Sequence, residues 1–294
     1  MTMSTIDEIL ASATRSGLPR LDGQLLLLHA WGADPQSPGE RRAWLLSNGE
    51  ASVTGAVQQR FDALVRRRLD GEPLAYLTGH KEFFGLPLAV DARVLVPRPD
   101  TEVLVEWALE ILELAPSPHA TRPQSVLDLG TGSGAVALAI KHTRPDLQVD
   151  AVDASTHALA VAEANARRLG LAVHFLAGHW FEPVRGRYDC IASNPPYVAA
   201  ADPHLPALRH EPREALVAGP DGLQDIRLII AAAGLHLHPG GWLLIEHGYD
   251  QGQAVRALFA SAGFAQVSTR RDIAHLERCT GGRVIADGVS PMVK

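Results

Sequence analysis

The chain has 294 residues, a length that favours two domains or one domain with a sizeable extension. Hydrophobic residues make up 46% and charged residues 20% of it, which is enough apolar material for a core and too little charge for a disordered chain. The formal net charge of −6 argues against stable DNA binding, because phosphate neutralisation needs an excess of Lys and Arg.

Cysteine and apolar patterning indicate the compartment. Cys190 and Cys279 are too few for a disulfide framework, which favours a reducing environment. The apolar run Leu228–Leu235 is far shorter than the roughly 18 residues that cross a bilayer, and the first ten residues lack the pattern of a signal peptide. We therefore expect a cytoplasmic protein with no membrane association. The 13 histidines lack completing ligands at metal spacing, so we expect no metal.

Apolar spacing predicts a helical N-terminal part. Apolar residues recur at intervals of three and four around Ile6–Leu10, Leu21–Ala30 and Val53–Val65, which predicts a small helical domain over residues 1–75. Between Tyr76 and Val96 the apolar pieces are short and broken by glycine and proline, which predicts a β-hairpin linker over residues 76–96.

Residues 97–294 predict a second domain. A helix opens at Pro97–Glu102 and runs to about Leu114, with a loop at Ala115–Pro123. From Ser125 onward strands and helices alternate, which indicates a doubly wound, mostly parallel, seven-stranded α/β sheet. The last two strands lack an intervening helix and should pair antiparallel. The predicted strands are 125–129, 148–152, 172–176, 188–193, 241–246, 265–269 and 283–286, and the helices between them are 134–142, 155–169, 224–237 and 251–262.

A glycine-rich turn connects the first predicted strand to a helix. The residues Gly130, Gly132 and Gly134 give G-x-G-x-G, whereas dinucleotide folds use G-x-G-x-x-G. Ligands of doubly wound sheets bind beyond the carboxyl ends of the strands, where glycine lets backbone N–H groups come close. The turn therefore predicts a nucleotide-like cofactor, although a glycine turn alone is compatible with a turn that holds no ligand.

Two acids refine this prediction. Asp128 precedes the glycines, and Asp153 ends the next strand, where a carboxylate can accept hydrogen bonds from both ribose hydroxyls. An acidic floor repels a pyrophosphate and attracts the cationic groups of S-adenosylmethionine. We therefore expect S-adenosylmethionine as cofactor and S-adenosylhomocysteine as product. Asp153 alone could instead be a helix N-cap.

The fourth predicted strand ends in Asn194, Pro195, Pro196 and Tyr197. Two prolines remove two donors and hold the chain extended, so the end of the strand presents hydrogen-bond acceptors. The Asn194 oxygen adds an acceptor and Tyr197 an aromatic face, which together suit a planar group bearing NH₂. Acceptors on both hydrogens would favour positive charge on that nitrogen as it attacks a methyl group, without a strong base. A plain proline turn is the alternative.

At these residues the sequence resembles the release-factor glutamine methyltransferases, the HemK/PrmC family of class I S-adenosylmethionine-dependent methyltransferases. The resemblance covers nearly the whole chain, and the most specific part is the Pro-Arg-Pro-Asp-Thr-Glu block, because Asn-Pro-Pro-Tyr also occurs in DNA adenine methyltransferases. The matching segments are Tyr76–Gly79, Phe83–Gly85, Val96–Glu102, Asp128–Gly134, Ser193–Tyr197, Glu211, Pro212, Ala215, Leu216 and Glu246–Gly248.

The resemblance implies methylation of the side-chain amide nitrogen (N5) of the glutamine in the Gly-Gly-Gln motif of peptide-chain release factors, which modulates translation termination. It also implies that residues 1–75 recognise the release factor. Asn194, Pro195 and Tyr197 would be catalytic, and Asn194 to Tyr197 would hold the glutamine. The implied cofactor-binding residues are Asp128, Leu129, Gly130, Thr131, Gly132, Asp153, Trp180 (near the adenine) and Asn194.

Some positions stay open at this stage. The family often has an acid where this chain has His179, so the adenine contact is uncertain from sequence. Arg98 and Glu102 either shape the substrate mouth or only start a helix. A nucleic-acid N6-adenine methyltransferase is the competing enzyme, and a cofactor-binding regulator without catalysis is the competing class of protein.

Overall fold

A computed structural model describes residues 4–32, 38–114 and 122–285. The chain forms two compact units, Met1–His80 and Lys81–Lys294. The boundary between the two units, after His80, lies within the residues 76–96 that the sequence predicts as a linker. No helix in the described ranges is long and apolar enough to cross a membrane.

The first unit is a bundle of helices. Buried Ile6, Leu26, Leu45 and Phe61 form the centre of its core. The third and fifth helices are absent from the sequence prediction, because the third buries only Leu45 among its described apolar residues and the fifth is a single turn. The helices are α1 (Ile6–Arg15), α2 (Arg20–Ala30), α3 (Pro38–Ser47), α4 (Gly55–Leu69) and α5 (Leu74–Thr78).

A two-stranded sheet follows, made of β1 (His80–Phe83) and β2 (Leu86–Ala89). The turn residues Phe84 and Gly85 have φ angles of 50° and 78°. Two positive φ angles are the geometry of a tight hairpin turn of type I′, which matches the twist of the strands it joins. The hairpin predicted within residues 76–96 thus lies in its middle part.

A seven-stranded sheet forms the second unit, in the order β5-β4-β3-β6-β7-β9-β8. All neighbours are parallel except β9, which is antiparallel to both β7 and β8. The predicted doubly wound sheet and its antiparallel final pair are therefore confirmed. The strands are β3 (Ser125–Leu129), β4 (Gln148–Asp153), β5 (His174–Ala177), β6 (Tyr188–Ser193), β7 (Leu237–Glu246), β8 (Ala265–Arg271) and β9 (Glu277–Arg283).

Helices cover both faces of this sheet. Val126 of β3 packs with the core formed around α6 and α7, whereas Leu127 packs with the core around α9 and α10. A parallel sheet buried on both faces needs such apolar residues on both sides of each central strand. The helices are α6 (Glu102–Leu114), α7 (Ala135–Thr143), α8 (Thr156–Leu169), α9 (Gln224–Ala233) and α10 (Gly252–Ser261).

The last strand departs from the prediction. It spans Glu277–Arg283, whereas the sequence predicts 283–286, and residue 286 lies outside the described ranges. Gly281 and Gly282 stand in the middle of the strand because aromatic rings pack on its backbone. A Cβ on Gly281 would lie 2.8 Å from the ring of Trp107, and one on Gly282 2.7 Å from that of Phe259. Apolar patterning cannot detect a strand that is buried through glycine.

The junction between the predicted helix 224–237 and the strand after it also shifts. The predicted helix 224–237 ends at Ala233 and continues as a short 3₁₀ turn, Gly234–His236, before β7 begins at Leu237. Most of the predicted loop Ala115–Pro123 lies outside the described residues.

Asn165 of α8 fastens the hairpin to the glycine turn. Its side chain is fully buried, accepts a hydrogen bond from the Ala89 amide (2.7 Å) and donates to the carbonyls of Ala89 and Ser133 (3.0 Å each). A buried amide that satisfies three backbone groups is costly to remove, because those groups lose their partners without regaining water.

We predict that Asn165→Ala lowers the free energy of unfolding by about 2 kcal/mol or more, measured by urea denaturation. Arg167→Ala on the same helix is the control, because the Arg167–Glu163 ion pair is exposed and should contribute under about 0.5 kcal/mol. Equal losses in the two variants would contradict the role assigned to Asn165.

Candidate active site

The glycine turn after β3 has a backbone that other residues rarely adopt. Gly130, Gly132 and Gly134 have φ angles of 75°, 56° and 85°. A Cβ on Gly134 would lie 2.9 Å from Leu138 and 3.2 Å from Ala162 of α8, so this glycine also allows α7 and α8 to pack closely. The turn thus exposes backbone in front of the sheet and starts α7 directly behind it.

Asp128 is the buried anchor of this turn. Its Oδ2 accepts hydrogen bonds from the Thr131 hydroxyl (2.7 Å) and from the Ala137 amide (3.1 Å). Burial is the main cause that raises the pKa of Asp128 to about 7; the two hydrogen bonds oppose this rise, and the charge of Asp153 adds to it. The carboxyl group fixes the start of α7 and forms part of the cleft floor.

Asp153 ends β4 and holds two loops together. Its Oδ2 accepts from the Gly132 amide and its Oδ1 from the Ser155 amide, both at 2.8 Å. The N-cap of α8 is Ser155, whose hydroxyl accepts from the Ala158 amide, so the interpretation of Asp153 as a helix N-cap is wrong. Burial raises the pKa of Asp153 as well.

Trp180 closes one side of the cleft. A Cβ on Gly130 would lie 3.3 Å from the Trp180 ring, so the indole lies directly over the glycine turn. His179 is exposed and meets the Trp180 ring edge-on, with 5.2 Å between ring centroids. Asp225, in the first turn of α9, faces the same space. Burial raises the pKa of Asp225, and the charge of His179 opposes the rise. The Trp180 ring N–H is buried and has no hydrogen-bond partner among the described residues.

The Asn-Pro-Pro-Tyr segment stands beside the glycine turn. β3 and β6 are parallel neighbours with Leu129 opposite Ser193, and the Ser193 hydroxyl donates to the Leu129 carbonyl (2.8 Å). The Asn194 backbone oxygen would lie 3.9 Å from a Cβ on Gly130. The two loops therefore open at the same edge of the sheet and line one cleft, as parallel neighbours require.

Polar contacts beneath this segment fix its side chains. The Asn194 Nδ2 donates to the Thr101 hydroxyl (3.1 Å), and the Tyr197 hydroxyl donates to Glu246 Oε1 (3.4 Å). Thr101 and Glu246 are 4% and 1% exposed. Burial is the main cause that raises the pKa of Glu246 to about 7 and that of Tyr197 above its usual range. Pro195 is buried.

Arg98 stands at the mouth of the cleft. The buried carboxylate of Glu211 accepts from the Val96 amide (3.1 Å) and forms an ion pair with Arg98. Glu102 instead accepts from the Phe84 amide (3.3 Å), so it connects the start of α6 to the hairpin. Arg98 thus lines the cleft, whereas Glu102 is not among the residues that line it.

Eight of the eleven site residues named from the sequence line one cleft. Leu129, Pro195 and Tyr197 are not among the residues that line it. The sequence reasoning missed Thr101, Glu214 and Asp225, which also line the cleft, because each stands at the start of a helix or turn where a polar residue is ordinary. The eight are Asp128, Gly130, Thr131, Gly132, Asp153, Trp180, Asn194 and Pro196.

Residues 4–32, 38–114 and 122–285 contain no cluster of three or more side chains able to hold a metal ion.

Family models match both units. The model described as PrmC N-terminal domain matches residues 6–79, and the model described as Methyltransferase small domain matches residues 111–215. A release factor glutamine methyltransferase from Xylella fastidiosa is 47% identical over 94% of this chain and 96% of its own length. One of the same name from Bordetella pertussis is 46% identical over 95% of this chain and 99% of its own length.

The chain belongs to the release factor glutamine methyltransferase family. It is therefore an enzyme, a methyltransferase, and the resemblance seen in the sequence is confirmed. A methyltransferase from Pyrococcus furiosus has a similar structure, with a TM-score of 0.50 and 17% identity over 69% of this chain and 90% of that chain. At that identity the likeness shows the fold alone.

The raised pKa of Asp128 makes stability depend on pH. Its folded pKa of about 7 exceeds the usual value near 3.8, so the folded state binds the proton more tightly than the unfolded state does. The resulting stability is present below the usual pKa and is lost as pH rises toward 7.

We predict that Asp128→Asn reduces the fall in the thermal midpoint between pH 5 and pH 8. Asp250→Asn, at an exposed carboxylate, should leave that slope unchanged. Parallel slopes for Asp128→Asn and the parent would contradict the prediction.

Proposed function

We propose that this protein transfers a methyl group from S-adenosylmethionine to the side-chain amide nitrogen of the glutamine in the Gly-Gly-Gln motif of peptide-chain release factors. The main support is that the glycine turn and Asn194 line one cleft, at the carboxyl ends of adjacent parallel strands. Family membership supports the substrate, since relatives of nearly the same length bear that name. We also propose that the helical residues 1–75 recognise the body of the release factor.

The residues of the cleft are suited to S-adenosylmethionine. Four carboxyl groups face it, from Asp128, Asp153, Glu214 and Asp225, which favours a ligand with cationic groups and disfavours a pyrophosphate. The bare backbone at Gly130 lets the Trp180 ring pack directly over the glycine turn, where it forms one wall of the cleft. Asp128 to Gly132, Asp153 and Trp180 would hold the cofactor. When bound, it supplies an electrophilic methyl group.

The protein has to make a poor nucleophile react. The lone pair of an amide nitrogen is delocalised into its carbonyl, so the nitrogen gains positive charge as it forms the new N–C bond. Asn194 Oδ1 and the carbonyls of the proline-stiffened segment would accept both hydrogens and stabilise that charge, after which one proton leaves to solvent. Fixing the amide in line with the methyl group supplies much of the remaining acceleration.

Asp225 could replace the acid that the family often has at the position of His179. In this chain position 179 is an exposed histidine next to Trp180, and Asp225 of α9 lines the same cleft. We assign to Asp225, rather than His179, the acceptor for a polar edge of the adenine.

We predict that the protein transfers label from S-adenosylmethionine to a release factor, and that Asn194→Ala slows transfer by about a hundredfold or more. The affinity for S-adenosylhomocysteine, measured by calorimetry, should change much less than the rate. Although Asn194 borders the cofactor, the residues assigned to hold it are Asp128 to Gly132, Asp153 and Trp180, and Asn194 acts chiefly on the reacting amide. Label in DNA with none in the factor would instead support the adenine methyltransferase alternative. Cofactor binding with no transfer to either would support the regulator.

We predict that Asp153→Ala weakens S-adenosylhomocysteine binding by about tenfold or more, because it removes both the ribose acceptor and the bond that holds the Gly132 amide. Asp146→Ala, at an exposed carboxylate away from the cleft, is the matched control and should bind normally. Equal affinities for the two variants in calorimetry would exclude Asp153 from the cofactor site.

A further inference from the structure

Three polar groups from separate elements form a cluster beneath the cleft. The Asn194 Nδ2 donates to Thr101 Oγ1 at 3.1 Å. The Thr101 hydroxyl adjoins Glu246 and lowers the pKa of that carboxyl group as a hydrogen-bond donor. Thr101 ends the 3₁₀ turn Pro99–Thr101 and Glu246 ends β7. Thr101 and Glu246 are almost completely buried, so water does not compete for these groups.

The number of hydrogens that each group can donate sets the donor and acceptor roles in this cluster. A threonine hydroxyl has one hydrogen to donate, and an ionised carboxylate can only accept. When Thr101 gives its hydrogen to Glu246, its oxygen can only accept from Asn194. The amide of Asn194 must then turn its NH₂ toward Thr101, which leaves Oδ1 as the atom presented to the cleft.

We propose that Thr101 and Glu246 are positioning residues that set the amide orientation of Asn194, so that its Oδ1 accepts a hydrogen from the substrate NH₂. The inference rests on the proposed function and assigns the role of two residues that support its reacting group. With the amide of Asn194 reversed, two NH₂ groups would face each other and neither could accept. The substrate would lose the acceptor that stabilises positive charge on its nitrogen.

A second observation supports a positioning role for Glu246. Its Oε2 is buried and has no hydrogen-bond partner within the described part of the chain. Buried polar groups in proteins are normally paired, so an unpaired carboxylate oxygen is a poor choice for stability alone.

The protonation state of Glu246 adds a pH dependence. Burial raises its pKa to about 7. A protonated Glu246 can donate to Thr101, which frees the Thr101 hydrogen for Asn194 Oδ1 and reverses the amide. The rate should therefore fall as the pH falls through about 7. Among the smaller contributions to this pKa, the charge of Asp100 raises it, and the hydrogen bonds from Thr101 and Tyr197 and the charge of Arg278 lower it. The buried Cys279 thiol also adjoins Glu246.

Thr101→Val tests the proposal directly, since valine keeps the shape and removes the hydroxyl. In single-turnover transfer to a release factor we expect the rate to fall by at least about tenfold. The affinity for S-adenosylhomocysteine and the thermal midpoint should stay close to those of the parent. Thr101→Ser should restore most of the rate because it keeps the hydroxyl. Thr280→Val, at a fully buried threonine of β9, controls for loss of a buried hydroxyl. Equal rates for Thr101→Val and Thr101→Ser would overturn the proposal.

A double-mutant cycle separates positioning from a general structural effect. If Thr101 acts through Asn194, adding Thr101→Val to Asn194→Ala should change the rate by less than about twofold. The same loss in both backgrounds would overturn the proposal.

Glu246→Gln provides a test that does not depend on the fold of the valine variant, because glutamine keeps the volume and does not titrate. We expect the fall in rate below pH 7 to disappear in this variant. An unchanged pH profile would overturn the proposal. If the parent enzyme itself transfers no label to a release factor, the proposed function fails instead, so the two failures are distinguishable.

Discussion

Strands β3 and β6 lie side by side and run in the same direction, and the Ser193 hydroxyl donates to the Leu129 carbonyl where both strands end. This pairing brings the glycine turn and the Asn-Pro-Pro-Tyr segment to one edge of the sheet. A register shift or an antiparallel arrangement would separate a cofactor bound at the first loop from an amide bound at the second. The strand order places this pair inside the sheet, with helices packed on both faces.

Buried acids are the second constraint on the site. Asp128, Asp153 and Glu246 each have a raised pKa, with burial as the largest cause. Each also accepts hydrogen bonds from neighbouring groups, and these bonds organise a loop or a side chain of the cleft. Asp128 and Asp153 line the cleft, so these two groups would attract a cationic cofactor and also hold the loops in place, whereas Glu246 lies beneath the cleft.

The sequence predicts much of this arrangement because the decisive residues have strong local signals. Glycines that need positive φ, prolines in series and an acid at a strand end identify the cleft, and alternating strands and helices identify the sheet. Strand β9 could not be found, because Gly281 and Gly282 are buried by aromatic rings contributed from distant elements. Thr101, Glu246 and Asp225 received no role from sequence reasoning, since their contacts depend on tertiary packing across three elements.

The most direct test of the account is a crystal structure with S-adenosylhomocysteine and a peptide containing Gly-Gly-Gln. The account predicts that the glutamine amide nitrogen faces the cofactor sulfur and that one of its hydrogens is bound by Asn194 Oδ1. A glutamine bound away from Asn194, or a sulfur on the far side of the glycine turn, would contradict it.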